Sequence, residues 1–191
     1  MKVVLLGPPG AGKGTQAAHI CRHFNITSLS TGDIFRSVAQ SDDTLGRKVQ
    51  AIISRGELVP DALVNDVVLS KLTAETLASG FVLDGFPRTV AQASVLQHFL
   101  TENRTCLNFV IDIEVDHEIL FGRIQSRVAQ SGGNVRHDDN EQVLKNRITV
   151  YNELTKPLLS FYRDLGLLVS INGMKTVDEV TSDIVSVLSK K

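Results

Sequence analysis

Short apolar runs alternate with amphipathic stretches along the 191 residues of the chain. Runs dominated by Val, Leu, Ile and Phe have the length and unbroken hydrophobicity of buried parallel strands. The strong runs are Val3–Leu6, Phe81–Asp84, Leu107–Asp112 and Leu167–Ile171, and a weaker one is Thr27–Leu29. Helical periodicity separates them at about 13–23, 62–77, 89–100, 116–128, 140–163 and 176–189. This alternation predicts an α/β fold, a five-stranded parallel sheet flanked by helices.

Two stretches interrupt the alternation without adding a strand. Residues 31–60 form a polar helical insert, and residues 128–137 form a loop that contains Ser, Gly and Asn. The length and the 42% apolar content suit one core with insertions better than two independent domains. We therefore expect a core domain made of 1–30, 61–127 and 138–191, with the two interruptions as its mobile parts.

Composition excludes several classes of function. Twenty basic and twenty-one acidic residues give a net charge of -1, so the chain as a whole has no nucleic-acid or membrane-surface signature. The apolar run Met1–Leu6 is too short for a signal peptide or a membrane span, and we expect a cytoplasmic protein. Cys21 and Cys106 belong to no C-x-x-C motif, which indicates buried structural thiols rather than a disulfide or a zinc site.

A glycine-rich segment follows the first strand and opens the first helix. The segment Gly7–Thr15 reads GPPGAGKGT, which has the spacing and context of a phosphate-binding loop. The expected α/β fold is therefore of the P-loop NTPase type. Its glycines let backbone N–H groups converge on phosphate oxygens, and Lys13 can follow the β and γ phosphates. The alternative is a plain glycine-rich turn, which would explain neither the lysine nor the strand context. The candidate triphosphate ligands are Gly10, Ala11, Gly12, Lys13, Gly14 and Thr15.

The same loop bears on magnesium. Gly14 stands where a Ser or Thr is usual, and the hydroxyl comes one position later, at Thr15. Asp84, at the end of a predicted strand, is the acidic residue that could hold Mg²⁺ through water, although it could also be a turn residue before Gly85. We expect no direct protein ligand, with the ion held by phosphates and water near Asp84 and Thr15.

Several arginines fall on helical faces that should be covered. Arg123 and Arg127 lie inside the apolar stripe of the 116–128 helix, and Arg147 lies among apolar residues of the next long helix. Ion pairs with core carboxylates, or stems that reach out to water, are the ordinary alternatives. The presence of three such arginines favours a clamp on a transferred phosphoryl group. The same clamp would include Arg36, Arg88 and Arg136.

Four spaced motifs resemble the adenylate kinase family, within the nucleoside monophosphate kinases, over nearly the whole chain. They are Gly7–Thr15, Ser30–Asp33 with Arg36, Leu83–Arg88 with Gln92, and Arg136–Asn140 followed by Arg147. The resemblance implies an AMP site, of which Thr31 and Gln92 lie near the base. The AMP-binding set it implies is Thr31, Arg36, Gly56, Glu57, Leu58, Val59, Gly85, Arg88, Gln92, Arg136 and Arg147.

The resemblance also implies the catalytic machinery and the moving parts. Besides the phosphate loop, Arg123 and Arg127 would bind ATP, and 31–60 would be the monophosphate-binding insert. The segment 128–137 would be a short lid without structural zinc. The implied catalytic residues are Lys13, Asp84, Arg88, Arg123, Arg127, Arg136 and Arg147.

The sequence therefore predicts a monomeric adenylate kinase that converts ATP and AMP into two ADP with Mg²⁺. A UMP/CMP kinase is the nearest alternative, but Thr31 and the spacing of Arg88, Thr89 and Gln92 are more typical of AMP kinases. A non-catalytic ATP-binding P-loop module is the alternative from another class. Such a module would not need so many arginines away from the loop.

Overall fold

The computed structural model describes residues 1–130 and 140–190. Its centre is a five-stranded sheet in the order β2-β3-β1-β4-β5, and every pairing in it is parallel. The strands are β1 Lys2–Leu6, β2 Thr27–Ser30, β3 Phe81–Asp84, β4 Phe109–Glu114 and β5 Leu168–Asn172. The predicted five-stranded parallel sheet is confirmed, with β4 beginning two residues later and ending two residues later than expected.

Helices connect these strands and cover both faces of the sheet. In chain order they are α1 Lys13–Phe24, α2 Thr31–Val38, α3 Thr44–Ser54, α4 Asp61–Lys71, α5 Ala74–Ser79, α6 Val90–Glu102, α7 His117–Gln130, α8 Glu141–Val150, a π-helical turn Tyr151–Thr155, α9 Pro157–Asp164 and α10 Val177–Leu188. None of the described helices is long and apolar enough to cross a bilayer.

Two of the predicted helices are each divided in the structure. The expected helix 62–77 is α4 followed by α5, because the Thr73 hydroxyl accepts a hydrogen bond from the Thr76 N–H (3.3 Å) and starts a new helix. The expected helix 140–163 is α8, the π turn and α9. Pro157 breaks its regularity, since proline has no N–H and its ring collides with the carbonyl four residues earlier.

The sheet has a buried core on each face because its strands alternate their side chains. Val4 and Leu6 of β1 pack on the face covered by α6 and α9. Val3 and Leu5 pack on the opposite face, against α1 and α10. All four are at most 2% exposed, and burying one such side chain stabilises the fold by about 1.5–3 kcal/mol.

The two cysteines differ from the expectation of buried thiols. Cys106 is exposed, in the connection before β4, so that prediction is wrong for it. Cys21 is partly buried on α1, and burial raises the pKa of its thiol.

Strand order determines what surrounds the loop after β1. Leu5 lies beside Asp84 of β3, and Leu6 lies beside Asp112 of β4. The carboxyl ends of three strands therefore meet at one edge of the sheet, which is where ligands bind in sheets of this kind.

Candidate active site

The phosphate loop leaves the end of β1 and turns directly into α1. Gly10 and Gly12 adopt φ angles of 87° and 96°, a left-handed conformation that glycine adopts without steric cost. The first turn of α1 contains no acidic residue of its own, and the positive end of the helix faces the loop. This arrangement is that of an anion site at a helix N-terminus.

Lys13 is folded back onto the loop. Its Nζ donates to the Gly7 carbonyl at 2.8 Å and to the Pro8 carbonyl at 2.9 Å. Burial lowers the pKa of Lys13 to about 8, and the charge of Asp84 opposes that shift. An arriving phosphate would favour the charged ammonium and compete with the two carbonyls for it.

Asp84 ends β3 on the side of the phosphate loop. A Cβ placed on Gly14 would lie 3.4 Å from Asp84 Oδ2, so the carboxylate faces the start of α1. Within the described ranges no group of three acidic, His or Cys side chains could hold a metal by itself. Oxygen atoms of Asp84, of phosphates and of water form the hard donor set that Mg²⁺ prefers, so the residues fit a nucleotide-bound magnesium. Thr15 is exposed at the same helix end.

Asp112 is a site residue that the sequence analysis did not single out. It is 3% exposed at the sheet edge beside Leu6, and its Oδ1 has no hydrogen-bond partner among the described residues. Burial and the neighbouring Glu114 raise the pKa of Asp112 to about 6, while Lys13 and Arg163 act in the opposite direction. Its position at the end of a predicted strand, like that of Asp84, was the available signal.

A cavity of about 600 Å³ lies between α2, the loop before α4, the loop after β3, and α8. Its lining brings together every residue expected to bind the monophosphate except Arg136, which lies outside the described residues. They are Thr31, Arg36, Gly56, Glu57, Leu58, Val59, Gly85, Arg88, Gln92 and Arg147, joined by Gly32, Phe35, Ile53 and Val64.

A second cavity, of about 490 Å³, connects this space with the phosphate loop. Lys13, Gly7 and Pro9 line one side of it. Five residues line both cavities, namely Gly56, Leu58, Gly85, Arg88 and Arg147. Arg88 and Arg147, two of the arginines predicted to bind phosphate, thus lie between the lysine of the phosphate loop and the first cavity.

The turn after β3 is tightly braced. Arg88 Nε donates to the Gly85 carbonyl at 2.9 Å, and the Thr31 hydroxyl donates to the same oxygen at 2.9 Å. Gly85 has φ 82°, and a Cβ on it would lie 2.5 Å from the Thr31 hydroxyl, so only glycine fits. From the other side, the Thr155 hydroxyl donates to the Arg88 carbonyl at 2.9 Å. Thr155 and Tyr151, which line the second cavity, were not anticipated from the sequence.

Arg123 bridges the phosphate loop and the segment after β5. Its guanidinium donates to the Gly173 carbonyl at 2.7 Å and to the Ala11 carbonyl at 3.5 Å. Among the described residues, this arginine of α7 is therefore paired with backbone carbonyls of the phosphate loop and of the segment after β5.

Comparisons with known proteins point to one family. A family model described as Adenylate kinase matches residues 5–167. The chain is 43% identical over 188 residues to an adenylate kinase of Parvibaculum lavamentivorans, which covers 98% of this chain and 92% of the relative. It is 44% identical over 191 residues to an adenylate kinase of Brucella ovis, covering 98% of both chains. A third relative, the adenylate kinase of Chelativorans sp., is 44% identical over 193 residues and fully covered.

The chain belongs to the adenylate kinase family. The prediction from the sequence of an adenylate kinase, and of a nucleoside monophosphate kinase as its enzyme class, is confirmed. So is the α/β fold expected for the family.

Two of the arginines that the adenylate kinase resemblance assigns to the phosphates have side chains outside the described part of the chain. The backbone of Arg127 lies in α7, but its side chain is outside the described part of the chain. Arg136 and the segment 131–139 are outside it altogether. Their assignment to the phosphates stays a prediction.

Proposed function

We propose that this chain catalyses the reversible, Mg²⁺-dependent transfer of the γ-phosphoryl group of ATP to AMP, giving two ADP. The observation that carries the proposal is the pair of joined cavities. One contains the phosphate-loop lysine, the other contains the residues expected around a monophosphate, and Arg88 and Arg147 line both. Two nucleotides bound in this way would bring their phosphates together between the same cations.

In the proposed reaction an oxygen of the AMP phosphate attacks the γ-phosphorus in line with the leaving ADP. Charge spreads over the oxygens of the transferred group, and Lys13, Arg88 and Arg147, which line the same cavity, would offset it. Magnesium, when bound with ATP through phosphate and water oxygens near Asp84 and Thr15, would supply further charge compensation. The phosphate oxygen needs no general base and no covalent protein intermediate, so positioning and electrostatics account for the rate.

The residues that line the two cavities support the following binding roles for ATP and AMP. The phosphate loop from Gly10 to Thr15, with Arg123 and Arg127, would bind ATP. Thr31 and Gln92 would lie near the adenine of AMP, while Arg36, Arg88 and Arg147 would hold its phosphate.

We assign 31–60 as the monophosphate-binding insert and 128–137 as a short lid, attached to a core of 1–30, 61–127 and 138–191. Closure of the insert over AMP would exclude water, which would otherwise accept the phosphoryl group.

We also propose that the enzyme is a monomer, as the resemblance to adenylate kinases implies. A cytoplasmic location is part of the same proposal, since ATP and AMP are substrates available in that compartment.

The proposal is tested by coupled assay of ADP formation from ATP and Mg²⁺ with AMP, UMP, CMP and GMP offered separately. AMP should be the preferred acceptor. Lys13→Ala should lower turnover by about 100-fold or more, because it removes a charge that binds the transferred group. The exposed Lys71→Ala on α4 is the matched control and should leave turnover unchanged.

Preference for UMP or CMP would keep the mechanism but reject AMP as the acceptor. Absence of turnover with all four acceptors would favour a passive ATP-binding module. Near-wild-type activity of Lys13→Ala would contradict the assignment of the phosphate loop.

A further inference from the structure

The amide of Gln92 is held in one orientation by two neighbours. Gln92 lies on α6, is 1% exposed and lines the first cavity. Its Nε2 donates to Asp61 Oδ1 at 2.8 Å, and its Oε1 accepts from the Arg88 backbone N–H at 2.7 Å. An ionised carboxylate can only accept and a backbone N–H can only donate. Rotating the amide by half a turn would therefore place oxygen against oxygen and N–H against N–H.

Asp61 is itself fixed. It is the first residue of α4, and its Oδ2 accepts from the Thr89 hydroxyl at 2.7 Å. That hydroxyl also accepts from the Gln92 backbone N–H at 3.1 Å, as the N-cap of α6. Asp61, Thr89 and Gln92 thus form a closed ring of hydrogen bonds between two helices. Neither Asp61 nor Thr89 is among the lining residues of either cavity.

The bonds already made determine what the amide can offer to a ligand. A glutamine amide has two N–H donors and two oxygen lone pairs. Asp61 takes one donor and Arg88 takes one lone pair, which leaves one donor and one lone pair whose relative positions are set. Adenine presents an amino donor at C6 beside an acceptor at N1, and the remaining pair is complementary to that edge. Hypoxanthine and guanine present the reverse, an acceptor at C6 beside a donor at N1.

We infer that Asp61 is a positioning residue that gives the monophosphate site its preference for 6-aminopurines over 6-oxopurines. It acts by holding the Gln92 amide in the orientation that pairs with adenine. This inference rests on the proposed function, because it takes the first cavity as the AMP site. It goes further in assigning purine selectivity to a residue that does not line the cavity.

Asp61→Ala tests the inference, with AMP, IMP and GMP compared as acceptors. Loss of the Nε2 anchor should raise KM for AMP about tenfold and lower the AMP-over-IMP ratio of kcat/KM by a similar factor. The KM for ATP should not change. Asp61→Asn should restore most of the ratio, because its side-chain oxygen can still face Gln92 Nε2 while its amide faces Thr89.

Two further variants separate positioning from general damage. Asp66→Ala removes an exposed aspartate from the same helix and should leave the ratio unchanged. In a Gln92→Ala background, Asp61→Ala should have no additional effect on the ratio, since the residue it positions is gone. An additive effect in this cycle would overturn the inference.

Equilibrium binding of AMP and IMP, measured by calorimetry without ATP, reads the same selectivity independently of turnover. If the wild type binds AMP over IMP and Asp61→Ala loses that preference, the inference stands even where no phosphoryl transfer is seen. If Asp61→Ala keeps the preference, the inference is wrong whether or not the enzyme is active. Failure of the proposed function would instead appear as absent turnover in the wild type.

Discussion

Asp84 and Asp112 both end strands beside the phosphate loop, yet their surroundings differ. Asp84 is partly exposed and faces the start of α1. Asp112 is almost fully buried, with one carboxyl oxygen unpaired among the described residues. An ionised group in that position costs folding free energy, which the charges of Lys13 and Arg163 partly offset. Lys13 in turn loses part of its basicity by burial. The almost fully buried Asp112 therefore contributes, together with Lys13, to the balance of charge around the phosphate loop.

Substituting Asp112 should change stability in a pH-dependent way. The pKa of Asp112 is about 6 in the folded protein, against an ordinary value of 3.8, so the folded state binds its proton more tightly. The contribution of this proton to stability is complete below about pH 4 and is lost as the pH rises through 6. Asp112→Asn should thus raise the free energy of unfolding by about 1–2 kcal/mol at pH 7.5, and by much less at pH 5.

Urea denaturation at the two pH values measures this difference, with the exposed Asp164→Asn on α9 as the control. The same gain at both pH values would show that the effect does not come from the charge of Asp112. A loss of stability at pH 7.5 would contradict the argument outright.

The π turn between α8 and α9 connects helix geometry with the site. Lys156 N–H donates to the Tyr151 carbonyl at 2.8 Å, five residues earlier, where an α-helix would use the fourth. Arg147, Tyr151 and Thr155, spaced four apart, all line the second cavity. An α-helix has 3.6 residues per turn, so side chains spaced four residues apart shift gradually around its axis. The wider π turn reduces this shift and keeps the three side chains on one side of the helix. Pro157 therefore has a consequence for the site, because the irregular turn before it directs Thr155 toward Arg88.

Thr155→Val should weaken AMP binding without unfolding the protein. The substitution keeps the shape but removes the hydroxyl that donates to the Arg88 carbonyl. One net hydrogen bond corresponds to about a three- to tenfold rise in KM for AMP. Thr155→Ser should restore the wild-type value, and KM for ATP should stay the same.

Steady-state kinetics with each nucleotide varied in turn measures this effect. Thr149→Val is the matched control, since the Thr149 hydroxyl donates only within its own helix, to the Lys145 carbonyl. Equal changes in both KM values would show that Thr155 has a general structural role instead.

The sequence was informative about elements wherever one local pattern decides the structure. Apolar runs gave all five strands to within about two residues, and the phosphate loop was recognisable from its glycines and Lys13. The prediction of one helix over 140–163 is wrong in its interior, because the apolar periodicity continues through Pro157 although proline breaks the regularity of the helix. Tertiary partners were out of reach: Asp61 meets Gln92 across 31 positions, and Thr155 meets Arg88 across 67. No local pattern specifies such pairs.

In the molecule as a whole, the strand order places β1 at the centre of the sheet. The ends of β3 and β4, with Asp84 and Asp112, therefore lie on either side of the phosphate loop. The insert returns to the core near Gly56, where a Cβ would lie 2.8 Å from the Val143 carbonyl of α8. Beside it, Asn146 Nδ2 donates to the Arg55 carbonyl at 2.5 Å. The end of the insert thus contacts the helix that carries Arg147, so a movement of the insert would also shift the residues next to that arginine. This contact suits the proposed closure of the insert over bound nucleotides.

The fate of a labelled phosphoryl group tests direct transfer between two nucleotides most simply. ATP labelled in its γ-phosphate is incubated with Mg²⁺, AMP and the protein, and the products are separated during the first turnovers. The label should appear in the β-phosphate of the ADP formed from AMP, with little free phosphate, and Lys13→Ala should transfer it at least about 100-fold more slowly. Label released mainly as free phosphate, or label that stays in ATP while AMP is present, would contradict the proposed adenylate kinase reaction.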